Sequence, residues 1–324
     1  MRELGDKIIA GNRRAIAKAI TLIESSRPDH QKKAQELLNL LLPYTGKTVR
    51  LGLTGVPGVG KSTFIESFGK LLTGQGIRVA VLAVDPSSHI SGGSILGDKT
   101  RMEELARDEL AFIRPTPSKG ILGGTARYTR EAMMILEAAG FDVIIVETVG
   151  VGQSEVAVAD MVDMFLLLLS PGGGDELQGI KRGIMELADL VIINKADGDF
   201  KKAASIACAD VKNALHLMKP KSPEWAVEVL ETSALHNSGI DQVWDKIKSF
   251  KKAMQQSGQF EKHRQEQLVS AIWTELNELI LNQLQLDNSR EMNDTIEAVK
   301  EKRVTPLAAA NELFKSKNNL IKHI

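Results

Sequence analysis

The chain of 324 residues has a single cysteine, Cys208, so no disulfide can form within it. A reducing compartment, the cytoplasm, is the expected setting. There is no excess charge of either sign: 41 Lys and Arg balance 41 Asp and Glu, a formal net charge of +0. That balance argues against a general nucleic-acid surface and against a polybasic membrane face. No apolar run approaches the roughly 20 residues that cross a bilayer. The apolar run Phe165–Leu169 reads instead as a central strand. Repeats and low-complexity segments are also missing. Arg2, Arg13 and Arg14 hint at a transit peptide, but Glu3 and Asp6 interrupt them and no cleavable apolar core follows. A surface helix is the expectation there.

What is present begins with Gly55-Val-Pro-Gly-Val-Gly-Lys-Ser62, followed by Thr63. Its spacing is G-x-x-x-x-G-K-[ST]. The buried-strand pattern Val49–Thr54 precedes it, and the helical pattern Phe64–Leu72 follows. Strand, glycine turn and helix together form a phosphate cradle. Gly55, Val56, Pro57, Gly58, Val59 and Gly60 would turn backbone N–H groups toward an anion at the helix N-terminus. Lys61 would reach the β- and γ-phosphates, and the Ser62 hydroxyl would ligate Mg²⁺.

A second motif selects the base. Leu190–Asp197 is an apolar strand ending in Asn194-Lys195-Ala196-Asp197, an N-K-x-D pattern. The Asp197 carboxylate can accept hydrogen bonds from the ring N–H and the exocyclic amine of guanine. Adenine presents an acceptor where that N–H should be and would leave the carboxylate unmatched. The Lys195 stem can cover the ring, and Asn194 can brace the loop. Thr232-Ser233-Ala234-Leu235 follows the next strand, and such a turn can offer a backbone N–H to the guanine O6. Together the motifs favour GTP over ATP.

Between these motifs lie candidate switches. Glu147, at the tip of the strand Phe141–Glu147, would act on Mg²⁺ through water or help place the attacking water. The Gly150 N–H would meet the γ-phosphate. Gln153 could position water or be simply solvated. The glycine- and serine-rich stretch from Val84 to Met102 suits a loop ordered by metal and γ-phosphate. It carries Asp85 and Asp98 as candidate metal-sphere residues, with a helix cap as the equal alternative for Asp98. His89 has no partner at ligand spacing. In Ser170–Arg182, three adjacent glycines precede Asp175, Glu176, Lys181 and Arg182, which read either as a reporting surface or as a loose strand-to-helix connection.

The expected class is α/β: a P-loop NTPase with a mostly parallel central sheet flanked by helices, plus N-terminal and C-terminal helical extensions. Seven strands are expected: Val49–Thr54, Arg78–Asp85, Ala111–Pro115, Phe141–Glu147, Met164–Ser170, Leu190–Asn194 and Ala226–Glu231. Most are near-continuous apolar runs, the mark of strands covered on both faces. Pro115 and Pro117 make Ala111–Pro115 an edge or short strand. The organisation reads as a helical segment at 1–46, a nucleotide domain at 47–255 and a helical extension at 256–324. In the last, Leu268, Ile272, Leu276, Ile280 and Leu284 form a stripe that suits either a dimer contact or packing back on the sheet domain. Thr305-Pro306 reads as an N-cap and first helical residue.

These motifs together resemble the MeaB/ArgK/MMAA family of G3E P-loop GTPases, chaperones of adenosylcobalamin-dependent methylmalonyl-CoA mutase. The resemblance is carried by residues 55–63, by V-D-P-S-S at 84–88 and by G-D-K-T-R-M at 97–102. It continues in 114–124, 146–155 and 171–181, and in N-K-A-D at 194–197. It implies a homodimer joined through the C-terminal extension, binding of GTP or GDP with Mg²⁺, and slow GTP hydrolysis that the mutase accelerates. It also implies gating of cobalamin loading onto the mutase, with no cobalamin bound directly by this chain. Lys61, Ser62, Asp85, Asp98, Glu147 and Gly150 fall on the family's nucleotide and switch positions, and 171–182 on its third switch. No fused mutase segment is present, so a related B12-dependent mutase, or another client, stays open as the partner. A nickel-insertion GTPase of related fold would bring Cys/His ligand clusters, which one cysteine and six histidines do not supply.

Overall fold

The computed structural model describes residues 1–85, 102–117, 124–148, 154–171, 182–285 and 290–321. Seven strands, β1 (Val49–Gly55), β2 (Val79–Asp85), β3 (Ala111–Pro117), β4 (Val143–Thr148), β5 (Met164–Leu169), β6 (Leu190–Ile193) and β7 (Glu228–Glu231), form one sheet in the order β3-β2-β4-β1-β5-β6-β7. Every pairing is parallel. All seven expected strands are present, with ends that shift by no more than two residues. β3 lies at one edge, where its prolines cost no internal ladder bonds. β7 lies at the other, and of its four residues only Val229 is buried.

The continuous apolar runs are explained by helices on both faces. Leu51, Leu53, Val81, Ile145, Leu166 and Leu168 meet Phe64, Ile65, Phe68 and Leu72 of α4 (Lys61–Gly74). The same layer holds Val243, Ile247 and Phe250 of the helix at Ile240–Gln256. Ala80, Leu82, Val84, Ile144, Val146 and Phe165 point the other way. They share their core with the helix at Gly124–Ala138 and with α1 (Arg2–Ile9), α2 (Arg13–Ile23) and α3 (Pro28–Leu41). Leu167, Leu169, Val191, Ile193 and Val229 form a third cluster with Ala204, Ala207 and Val211 of the helix at Lys201–His216, so alternation along the strands distributes the sheet's side chains among three buried clusters. Ile8 lies on α1 and Ile16, Ile20 and Ile23 on α2. Gly11, at φ 74°, separates them, and the Asn12 side chain caps α2 by accepting from Ala15 N–H at 3.0 Å.

At the sheet's N-terminal edge, Arg264 ties a long helix (Gln259–Gln285) to two strands. Its guanidinium donates to both Asp163 carboxylate oxygens at 2.7 Å and to the Gly46 and Thr48 carbonyls at 2.6 Å. Burial works against its charge, yet the Asp163 bonds outweigh that and raise its pKa. Asp163 also accepts the Arg50 N–H of β1 at 2.8 Å.

The chain divides into two compact units, Met1–Ala271 and Ile272–Ile324. The second is helical, comprising the end of the long helix and the helices Arg290–Lys300 and Pro306–Ile321. Thr305 caps the last of these, its hydroxyl accepting from Ala308 N–H at 3.3 Å. Among the described residues, no helix is long and apolar enough to cross a membrane.

Candidate nucleotide site

Because every strand is parallel, the carboxyl ends of β1, β2, β4, β6 and β7 open on one edge of the sheet, the edge where ligands of open α/β sheets sit. The segment Gly55–Gly60 leaves β1 there and enters α4, which starts at Lys61. Two glycines make the turn possible. Gly58 and Gly60 adopt φ of 84° and 94°, and a Cβ on Gly60 would stand 2.8 Å from the Asn194 side-chain nitrogen. Gly60 is the N-cap of α4 and has no side chain to cap it, so the first-turn N–H groups stay open to an anion.

The loop's carbonyls are tied back by three side chains. Lys61 Nζ donates to the carbonyls of Gly55 at 2.7 Å and Val56 at 3.3 Å. Lys195 Nζ donates to the Gly58 carbonyl at 2.7 Å. Asn194 Nδ2 donates to the Val59 carbonyl at 3.1 Å. Val59 N–H bonds the Val56 carbonyl at 3.3 Å, and with the carbonyls drawn to side chains the loop's other N–H groups can turn to a phosphate.

Asn194 is almost fully buried and bonds through both ends of its amide. While Nδ2 holds the phosphate loop, Oδ1 accepts from Ala234 N–H at 3.1 Å and from the Thr232 hydroxyl at 3.3 Å. It therefore joins β6, the P-loop and the turn after β7. Asp197 is held to the same turn by the Ser233 hydroxyl, which in turn accepts from His236 N–H at 3.3 Å. Lys195 sits at φ 61°, a left-handed conformation that throws its side chain over Gly58. Ser67 of α4 donates to the Ala234 carbonyl at 2.5 Å, closing the ring of contacts.

Glu147, the penultimate residue of β4, pairs in register with Leu53 of β1 and is 8% exposed. Next to it the Thr148 hydroxyl donates to the Thr54 hydroxyl at 2.7 Å, a buried bond beneath the loop. Ser62 and Thr63 occupy the first turn of α4, half-buried and exposed respectively. Asp85 ends β2, and Arg182 opens the helix at Arg182–Leu187. Asp98, Gly150, Gln153, Asp175, Glu176 and Lys181 lie outside the described residues. Among the described residues, no three His, Cys, Asp or Glu side chains group to hold a metal ion.

Sequence reasoning passed over Thr54, Thr148 and Ser67. Hydroxyls at those places give no pattern along the chain; their partners come from other elements. For the two threonines the signal available was a hydroxyl residue at the end of each of two largely apolar strands.

A parallel sheet with a glycine phosphate loop between β1 and α4, joined through an N-K-x-D strand end, defines a P-loop GTPase. The family described as methylmalonyl Co-A mutase-associated GTPase MeaB matches residues 16–289, and the chain belongs to it. The chain is 52% identical over 305 residues to GTPase ArgK of Escherichia coli strain K12, covering 94% of this chain and 92% of that protein. It is 51% identical over 284 residues to the mitochondrial methylmalonic aciduria type A homolog of Mus musculus, covering 85% of this chain and 68% of that one. Among solved structures, that of the LAO/AO transport system kinase superposes with a TM-score of 0.78 at 43% identity, covering 97% of this chain and 96% of that one.

Proposed function

We propose that this chain is a Mg²⁺-dependent, GTP-hydrolysing switch that serves methylmalonyl-CoA mutase or a related B12-dependent acyl-CoA mutase. In this role it gates adenosylcobalamin loading and protects the mutase. The observation that carries the nucleotide reading is Asn194, whose one amide bonds both the phosphate loop at Val59 and the base-reading turn at Ala234. Asp197 then reads N1–H and the 2-amino group of guanine. The client follows from the family description and from the methylmalonic aciduria name of the mouse relative.

In the reaction, a water attacks the γ-phosphorus in line with the departing diphosphate. Lys61 releases the Gly55 and Val56 carbonyls and neutralises charge on the β- and γ-oxygens. Glu147, a carboxylate at a strand tip, orients water beside the γ-phosphate, with Gly150 N–H and Gln153 completing that side. Ser62, Asp85, Asp98 and Glu147 are hard oxygen donors of the kind Mg²⁺ takes, and the half-buried Ser62 in the first turn of α4 fits such a cation. Bound Mg²⁺ supplies neutralisation of phosphate charge. Asp175, Glu176, Lys181 and Arg182 report the nucleotide state to the client.

We also assign three parts: a helical segment at 1–46, the GTPase domain at 47–255 and a dimerisation arm at 256–324. Leu268, Ile272, Trp273 and Leu279 are each more than 60% exposed, which supports a homodimer through that arm. The single buried Cys208 supports a cytoplasmic setting. Size-exclusion chromatography with purified methylmalonyl-CoA mutase tests the client: a complex whose abundance differs between GTP and GDP is expected. No complex with either nucleotide, alongside active GTP turnover, refutes it.

A further inference from the structure

We infer that Glu66 is a positioning residue for the Mg²⁺ site: from α4 it caps the helix that follows the Val84–Met102 stretch, and so leaves the Asp98 carboxylate for the metal, an assignment that rests on the Mg²⁺-dependent GTPase reading. Two roles are open to Asp98 from the sequence, metal-sphere residue and helix cap. The hydrogen bonds at the helix give the second role to Glu66.

That helix is α5 (Glu103–Arg107). Its first intrahelical bond runs from Ala106 N–H to the Met102 carbonyl at 2.9 Å, so the N–H groups of Glu103, Glu104 and Leu105 need partners from elsewhere. Met102 is the N-cap, and its side chain makes no capping bond. Glu66 Oε1 accepts from Glu104 N–H at 2.8 Å and from Leu105 N–H at 3.1 Å. These are the second and third helical amides, the ones an N-terminal cap bonds. The carboxylate also stands at the helix end where negative charge is favoured. The amides that an aspartate cap would take are therefore already held, by a residue 38 positions before Glu104 in the chain.

The cap belongs to a longer seam. Glu66, Gly69, Lys70 and Thr73 recur at helical spacing along one face of α4. A Cβ on Gly69 would collide with the Leu105 side chain, so the two helices touch at that glycine. Asp108, the C-cap of α5, accepts from Lys70 Nζ at 3.1 Å and from the Thr73 hydroxyl at 2.7 Å. The phosphate-loop helix thus grips α5 at both ends and in the middle. Ser62, the proposed Mg²⁺ ligand, stands one turn before Glu66 on α4. Asp98 precedes Met102 by four residues, which ties it to within about 14 Å of a point fixed on α4. Glu66 Oε2 is buried without a hydrogen-bond partner among the described residues, a cost that makes this side chain a poor choice for stability alone.

Two measurements on the full chain test this, neither of them turnover. The first is amide-resolved hydrogen exchange with GDP and Mg²⁺. Asp98→Ala is expected to leave Glu104 and Leu105 protected, whereas Glu66→Ala speeds both by at least about tenfold. Loss of their protection in Asp98→Ala makes Asp98 the cap and overturns the assignment, whether or not Glu66→Ala folds. The second is Mg²⁺ affinity in the presence of a non-hydrolysable GTP analogue. Glu66→Ala should weaken Mg²⁺ about tenfold while the analogue's affinity in EDTA is unchanged. Glu66→Gln, whose amide oxygen can accept both N–H groups, should keep the wild-type value. In an Asp98→Ala background Glu66→Ala should cost nothing further, because it acts through Asp98. Wild-type Mg²⁺ affinity in a folded Glu66→Ala variant, or a full further loss in the Asp98→Ala background, overturns the assignment and leaves the GTPase reading standing. If the wild type binds the analogue equally with and without Mg²⁺, the Mg²⁺ reading falls and the assignment with it.

Discussion

Asp197→Asn removes one charge and exchanges one oxygen for an NH₂ group of nearly the same size. The fold should tolerate it, because the Ser233 hydroxyl that holds the carboxylate can donate to an amide oxygen or accept from an amide nitrogen. For the ligand the change is severe. The carboxylate accepts twice from guanine, and a hydrogen bond to a charged group contributes about 1.5–3 kcal/mol. The amide keeps one acceptor and turns its donors toward the 2-amino group, so one charged bond is lost and two donors are opposed. The expected cost is about 2–4 kcal/mol, or roughly 30- to 700-fold in affinity at 1.4 kcal/mol per tenfold. Xanthine carries an oxygen where guanine has that amine, so the same variant should bind xanthosine triphosphate better than the wild type does. The assay is a pair of titrations, GTP and xanthosine triphosphate, against both proteins, with melting temperatures recorded as a control. An unchanged GTP affinity in the folded variant would refute the placement of the base against Asp197. An equal loss for both nucleotides would show that the residue holds the loop and does not read the base.

Three other perturbations follow from the geometry. Gly60→Ala forces a Cβ at φ 94° to within 2.8 Å of the Asn194 amide, so stability should fall by about 1–2 kcal/mol from backbone strain alone, with nucleotide binding lost; a neutral result in urea unfolding would contradict the close approach. Arg264→Ala strands an Asp163 side chain that is 2% exposed and should cost about 3–5 kcal/mol in the same measurement, whereas a loss below about 1 kcal/mol would show the pair to be solvated. Burial opposes ionisation of Asp108, but the Thr73 hydroxyl, the Leu110 amide and Lys70 outweigh it and hold the carboxyl below its ordinary value of 3.8. A depressed folded pKa means stability that is present above 3.8 and lost as pH falls through the folded value. The gap between wild type and Asp108→Asn should therefore be full near pH 6 and close as the pH drops below 3.8, and a gap constant with pH would contradict this.

Much of the sheet is legible in the chain because its physical causes are local. Continuous apolar runs such as Phe165–Leu169 signal strands covered on both faces, and Pro115 with Pro117 signals an edge. The phosphate loop is legible because its glycines are needed for backbone conformation within the loop itself. What the chain does not disclose depends on pairs far apart in it. Arg264 and Asp163 lie 101 residues apart and Asn194 and Ala234 lie 40 apart, and no local pattern states that they meet. That α2 and α3 share a core with the sheet's own strands is likewise a meeting of residues far apart in the chain.

The most direct test of the account is phosphate release from GTP and from ATP, at equal concentration with Mg²⁺, by the wild type and by Lys61→Ala. The account predicts turnover of GTP at least about a hundredfold above that of ATP, from the two charge-assisted bonds at Asp197, and none above background in the variant. Comparable turnover of ATP, or undiminished turnover of GTP by Lys61→Ala, would contradict it.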